Sequence, residues 1–329
     1  MTDNTNLSRS GQINKAGDVF ALYRDQFVME LIAEFEVNRK VVPYVRFKEI
    51  TKGKSASFPN LGKVDAQYVF AGQKLLGNQK IAHSETTINL DPFLVSDVKI
   101  AEIDTLMEEF SDREQIKIEM ARALARTEES QQLICGVLAA RAGGMVQGRA
   151  GGSVVYSKNC KTDADKLAAA IYAAGVALRE KDVPMEDTVC FLAPAQVALL
   201  AQKDKISDKN LGGSGNYSQG TVGFINGIRI VETNYLPNTN ITQPSATETV
   251  NVPRNIYYGD FSKTAGLVMN KGAIGTITRK GLTVEATWLP EELTWLLTAR
   301  TLEGHGILDP RRAVEIRDDD APASSGSGT

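Results

Sequence analysis

The sequence predicts an α+β chain, and three observations predict it. Ser111–Ala142 reads as one uninterrupted helix, residues 41–103 read as two extended arms joined through a glycine- and lysine-rich stretch, and residues 160–317 mix helices with many short strands. A length of 329 residues carries a prior of about two domains.

The elements follow in order. Residues 1–16 are rich in Asn, Thr, Ser and Gly and predict a mobile arm, and Asp18–Glu36 carries an amphipathic stripe of Val19, Leu22, Tyr23, Phe27, Leu31, Ile32 and Phe35. Val41–Ile50 alternates as a strand, and Thr86–Leu90 and Phe93–Ile103 return as strands. Between them lies a long ribbon that buries little alone and needs a surface to lie upon. Ser111 and Glu114 form a capping box for the long helix. Its apolar stripe is Ile116, Met120, Ala123, Leu124, Thr127, Ile134, Val137 and Leu138, which leaves Glu119, Arg122, Arg126 and Glu129 on the other faces. Such a rod would be about 45–50 Å long, either a core helix or a strut that sets the dimensions of an extended subunit. Gly143-Gly144 stops it and opens a flexible connection to Gly152.

Lys161–Lys181 is a second helix with Thr162 at its N-cap, Thr188–Leu192 is a buried strand, and Pro194 opens a helix over Ala195–Lys203. The Asn226-Gly227 pair turns a hairpin over Val222–Val231, between surface loops at 204–219 and 238–253. Strands are expected at 255–261, 266–269, 274–280, 282–288, 293–302 and 312–316. The tail 318–329 has a disordered composition.

A formal net charge of −3 gives no overall attraction to nucleic acid or an anionic membrane. No apolar stretch approaches the ~18 residues of a membrane span. Three widely spaced cysteines, Cys135, Cys160 and Cys190, fit reduced thiols in a cytoplasm rather than a disulfide framework. There is no Cys-x-x-Cys, no His-Glu-x-x-His, no Gly-Lys-Ser/Thr phosphate loop and no nucleophile elbow, since Gly212-Gly-Ser214-Gly-Asn216 fails at its last position. The two histidines, His83 and His305, have no nucleophile in a suitable context, and the pairs Glu108-Glu109, Glu128-Glu129 and Glu291-Glu292 read as solvated. No cofactor and no enzyme activity are expected. Lys54, Lys63 and Lys74 make the ribbon basic, with Tyr68 and Phe70 among them, which suits docking to a neighbouring chain as well as to nucleic acid.

Four stretches carry a resemblance: Gly53-Lys-Ser-Ala-Ser-Phe58-Pro59-Asn-Leu-Gly62, Ile88–Ala142, Gly223–Pro237 with its Asn-Gly turn, and Gly304-His-Gly306-Ile-Leu-Asp309-Pro310. In this order and spacing the chain resembles the major capsid proteins of tailed bacteriophages, which share the Hong Kong 97 fold, and is most similar to those of short-tailed podoviruses of the Autographiviridae type. The resemblance implies an N-arm at 1–50, an E-loop at 51–90, a P-domain at 91–159 containing the spine helix 111–142, an A-domain at 160–281, returning P-domain strands at 282–317 and a disordered tail at 318–329. It implies self-assembly into hexamers and pentamers of an icosahedral head that encloses double-stranded DNA, in a virion assembled in the bacterial cytoplasm. Its partners would be further copies of itself, a scaffolding protein, a portal at one vertex and packaged DNA held weakly, with no membrane. The implied E-loop contacts to a neighbour are Lys54, Phe58, Lys63, Tyr68, Phe70 and Lys74; the spine-helix face they meet is Glu119, Arg122, Arg126 and Glu129; and Gly53, Gly62, Gly143 and Gly144 would be hinges. An encapsulin-like compartment, a soluble α/β hydrolase and a nucleic-acid-binding module are the alternatives.

Overall fold

A computed structural model describes residues 31, 35, 39–64, 66, 68, 70–72, 81–101, 113–146, 148–203, 223–242 and 257–321. In chain order the strands are β1 (Arg46–Glu49), β2 (Ser55–Leu61), β3 (His83–Asn89), β4 (Leu94–Ala101), β5 (Ser153–Tyr156), β6 (Thr188–Leu192), β7 (Phe224–Ile225), β8 (Ile228–Glu232), β9 (Asn240–Ile241), β10 (Gly259–Asp260), β11 (Thr264–Asn270), β12 (Ile274–Leu289), β13 (Thr294–Ile307) and β14 (Ala313–Arg317). The helices are α1 (Arg113–Arg141), α2 (Ala164–Glu180) and α3 (Pro194–Ala201). Two compact units divide the chain, one of residues 1–40, 93–128 and 280–302, the other of 41–92, 129–279 and 303–329. The ribbon and residues 303–317 fall in the larger unit.

In the smaller unit β13 pairs antiparallel with β4, from Thr294 opposite Ala101 to Thr301 opposite Leu94. Leu31 and Phe35 pack there with Met120, Ala121, Leu124, Ala125, Leu297 and Ala299. The expected stripe is partly displaced: Ala123 and Thr127 are exposed, and Ala121 and Ala125 are buried in their place. Arg39 makes an ion pair with buried Glu128 and lies over the Phe35 ring.

The larger unit is built on a mixed sheet of order β5-β14-β11-β6-β8-β7. Here β5 runs parallel to β14, β14 and β6 run antiparallel to β11, and β8 runs parallel to β6. The sheet is covered on both faces, so its central strands are apolar throughout rather than alternating. Cys190, Leu192, Val268, Val314 and Ile316 join the core containing Leu167, Ile171 and Leu178 of α2 and Leu200 of α3. Their neighbours Val189, Phe191, Leu267, Met269 and Ala313 join Leu133, Ile134 and Val137 of α1. From Gln132 to Ala140 α1 is buried on almost every side by its own chain, apart from half-buried Leu138. Gly136 sits in this stretch because a Cβ there would come within 2.5 Å of Leu267 Cδ2.

One buried ion pair ties α1 to the sheet. Arg141 donates from Nε and Nη2 to the two carboxylate oxygens of Glu315, each at 2.6 Å, and from Nη1 to the Asp260 carbonyl at 2.7 Å. Thr264 Oγ1 donates to the same fully buried carboxylate at 2.7 Å. The bidentate geometry and the third donor satisfy a charge that burial would otherwise penalise heavily.

Several local readings need correction. The cap of α2 is Asp163, whose carboxylate accepts from the Asp165 N–H at 3.0 Å, while the Thr162 hydroxyl turns back to the Asn159 carbonyl. Val42–Tyr44 is a 3-10 turn before a short β1, in a stretch expected to be a strand throughout. The strands expected at 274–280 and 282–288 are the single strand β12. The start of the tail is pinned: Asp318 accepts from the Asn159 N–H, and Lys158 pairs with Asp320. The Asn-Gly hairpin has the left-handed φ values of a type I′ turn, 52° at Asn226 and 77° at Gly227. The capping residue Ser111, the loop 204–219 and most of the loop 238–253 lie outside the described residues.

Candidate assembly surface

The ribbon has a root and a distal part, with different fates. In the root, β2 pairs antiparallel with β3, from Ser55 opposite Asn89 to Leu61 opposite His83. Its alternation turns Ala56, Phe58 and Ile88 inward, where they are buried with Ile50, Ile277 and Leu308. Phe58, expected to face a neighbour, is buried in its own subunit and anchors the ribbon there. Lys48 Nζ covers its ring at 4.9 Å.

The Gly304-His-Gly306 motif makes this anchoring possible. A Cβ at Gly306 would lie 2.7 Å from Ile88 Cγ1, and one at Gly304 only 2.2 Å from the Asn89 carbonyl oxygen. The intervening His305 is buried, its Nδ1 at 2.9 Å from Thr276 Oγ1 and its N–H donated to Tyr257 Oη at 3.3 Å. The Tyr257 hydroxyl donates to Asp91, and burial together with the nearby Cys135 and Asp91 pushes its pKa up. His305 thus belongs to a packed, hydrogen-bonded strand.

Beyond Gly62, whose N–H donates to the Ala82 carbonyl at 2.7 Å, the described residues 63, 64, 66, 68 and 70–72 are exposed. Lys63 and Phe70 are exposed, Val64 is 53% exposed and Tyr68 is fully exposed at 102%, and Lys54 is exposed at the root. Lys74 lies outside the described residues.

On α1, Glu119, Arg122 and Arg126 form an exposed face, with Glu119 and Arg122 paired at 3.3 Å. Glu129 departs from it. It is 1% exposed and accepts from the Val41 N–H at 3.1 Å. The Glu128-Glu129 pair, expected to be solvated, is thus buried at both residues. Nothing local in the sequence signals this, because the partners are 88 and 89 residues away.

The glycine positions also separate. Gly53 has φ +94°, which favours glycine, and Gly143 has open space around it. Gly62 lies within 3.2 Å of Ala82 at its Cβ position, and Gly144 within 2.2 Å of the Arg149 carbonyl oxygen. The segment expected to be a flexible connection is closed back on α1, with the Gly152 N–H donating to the Ala142 carbonyl at 2.8 Å.

The thiols are buried: Cys160 is pushed up to about 11 and Cys190 to about 12, chiefly by desolvation. Among the described residues no cluster of three or more His, Cys, Asp or Glu could hold a metal ion, and no helix is long and apolar enough to cross a membrane.

Known proteins share this arrangement. The major capsid protein of Escherichia phage T7 is 25% identical over 92% of this chain and 93% of its own length, and that of Enterobacteria phage T3 is 24% identical over 94% and 95%. The capsid of cyanophage P-SCSP1u superposes with a TM-score of 0.75 at 29% identity, covering 84% of this chain and 87% of that one. The mature capsid of bacteriophage PhiM1 has the same fold, with a TM-score of 0.67 at 20% identity over 85% and 86%. The Hong Kong 97-type capsid fold is therefore the fold of this chain, and neither the compartment nor the hydrolase alternative is favoured. The Gp10A-like major capsid protein family matches residues 57–317, which include the rooted ribbon, the long helix and the six-stranded sheet; the chain belongs to that family of phage shell proteins.

Proposed function

We propose that this major capsid protein closes its hexamers and pentamers by laying the distal ribbon over the exposed face of α1 in an adjacent copy. One observation carries the reading. The ribbon is rooted in its own core by Phe58 and Ile88, yet presents Tyr68 entirely and Val64 by half to solvent. A two-stranded ribbon is marginal alone, and a surface of this kind on a rigid root is complete only when covered. Lys63 would meet Glu119 on the neighbour's exposed face. Each contact is modest, and repetition around a closed ring multiplies it. Expansion of the shell on packaging would turn at Gly53 and Gly143, the glycines with room or dihedral freedom. A scaffolding protein, a portal and weakly held DNA are further partners, and a net charge of −3 keeps the last contact local and non-specific.

The test is Tyr68→Ser combined with Lys63→Glu, co-expressed with a scaffolding protein. Circular dichroism should report a folded chain, and negative-stain microscopy should show shells reduced at least about tenfold, as expected for loss of an interface anchor. Shells at the wild-type yield would defeat the proposal.

A further inference from the structure

A cleft of about 540 Å³ opens beside the ribbon's root. Five cationic side chains line it, Arg46, Arg149, Lys271, Arg311 and Arg312, against the single carboxylate of Asp309. That carboxylate already accepts from Arg311 Nε at 2.7 Å and Arg312 Nε at 3.1 Å. Arg149 Nε is shielded from water and has no hydrogen-bond partner among the described residues. A shielded guanidinium donor without an acceptor is unfavourable until an anion reaches it. The cleft is not uniformly polar, because exposed Leu61 and buried Leu308 are part of its wall.

The turn between β12 and β13 has the complementary chemistry. It reads Leu289-Pro290-Glu291-Glu292-Leu293, with both glutamates exposed. Leu293 is 62% exposed and adopts φ +51°, a left-handed conformation that a branched side chain rarely takes. Strain of this kind is kept where the surroundings impose it and gathers at functional positions. Trp288 and Trp295 pack at the base of the turn with ring centroids 5.2 Å apart, which makes it a stiff pedestal for Leu293.

We propose that this turn of one copy inserts into the cationic cleft of a second copy, with Leu293 against Leu61 and Leu308 and the Glu291 carboxylate on Arg149. The proposal rests on the self-assembly reading above. Glu292 already pairs with Lys99 at 2.6 Å on the surface, so Glu291 is the residue to test. Nucleic-acid phosphate would also suit the cations, but it makes no use of the apolar wall, whereas a turn carrying both a carboxylate and a leucine uses both.

The experiment compares wild type, Arg149→Glu, Glu291→Arg and the double variant, each co-expressed with a scaffolding protein, with shell yield read by sedimentation and microscopy. Each single reversal should lower the yield at least about tenfold, and the double variant should recover to within about threefold of wild type, because a charge swap restores the pair. Singles at wild-type yield, or a double variant no better than the singles, would overturn the proposal, and shells from the wild type keep the self-assembly reading intact in either case. Arg149→Glu shells that form normally but retain less DNA would assign the cleft to nucleic acid and equally overturn it. Leu293→Gly guards against misfolding: it relieves the backbone strain, so the dissociated chain should melt no lower than wild type while its shell yield falls. Unchanged assembly of that variant would count against the insertion.

Discussion

Arg141 and Glu315 show how much can depend on one contact in this chain. Glu315 is fully buried, and the guanidinium supplies two of its donors. Arg141→Ala would strand a carboxylate in the core and should cost about 3–5 kcal/mol, read as a lowered urea midpoint. Glu315→Gln in the same chain should return part of that loss, since the stranded charge is gone. Arg141→Lys should not substitute well, because an ammonium lacks the planar fork. The thiols set a different limit. Burial raises Cys190 from its ordinary 9.0 to about 12 and Cys160 to about 11, so the folded chain holds protons that the unfolded chain releases earlier. The stability this contributes is complete below 9.0 and is lost as pH rises toward about 12. The urea midpoint should therefore fall across that window, and less steeply in Cys190→Ala; an equally steep fall in that variant would place the cause elsewhere.

Glycines decide the behaviour of the connecting elements. A methyl group added at Gly143 would find nothing within 4 Å, whereas one at Gly144 would meet the Arg149 carbonyl oxygen at 2.2 Å. Gly143→Ala should be neutral to within about 0.5 kcal/mol, and Gly144→Ala should cost about 1–3 kcal/mol by urea unfolding, because backbone cannot step aside as a side-chain end can. The long helix, the Asn-Gly hairpin and the strand Thr188–Leu192 were legible in the sequence, since each carries a local signature of period, turn chemistry or apolar run. Other features depend on partners far along the chain and leave no local trace. Arg141 meets Glu315 across 174 residues, and Asn60 reaches the Leu308 carbonyl across 248. The same reason misplaced Phe58, which looks like any exposed ribbon aromatic until Ile88 and Leu308 close over it. Gly281 read as a break between two strands, but β12 runs through it. The outward side chains Lys63 and Tyr68 could be foreseen from a ribbon too polar to bury itself, while the cationic cleft could not, because its walls come from five separate stretches of chain.

At the scale of the molecule, α1, β12 and β13 each contribute residues to both units. The order of the six-stranded sheet has a further effect. β14 lies between β5 and β11, so every other strand of that sheet is synthesised before the one that fills the gap. A chain still on the ribosome, or one cut before Ala313, has two unsatisfied strand edges and lacks Glu315 for Arg141. Such a product should be cleared by proteases, with no trace of it in purified shells by mass spectrometry. Late delivery of this interior strand should therefore withhold each subunit from the growing lattice until its translation has passed β14.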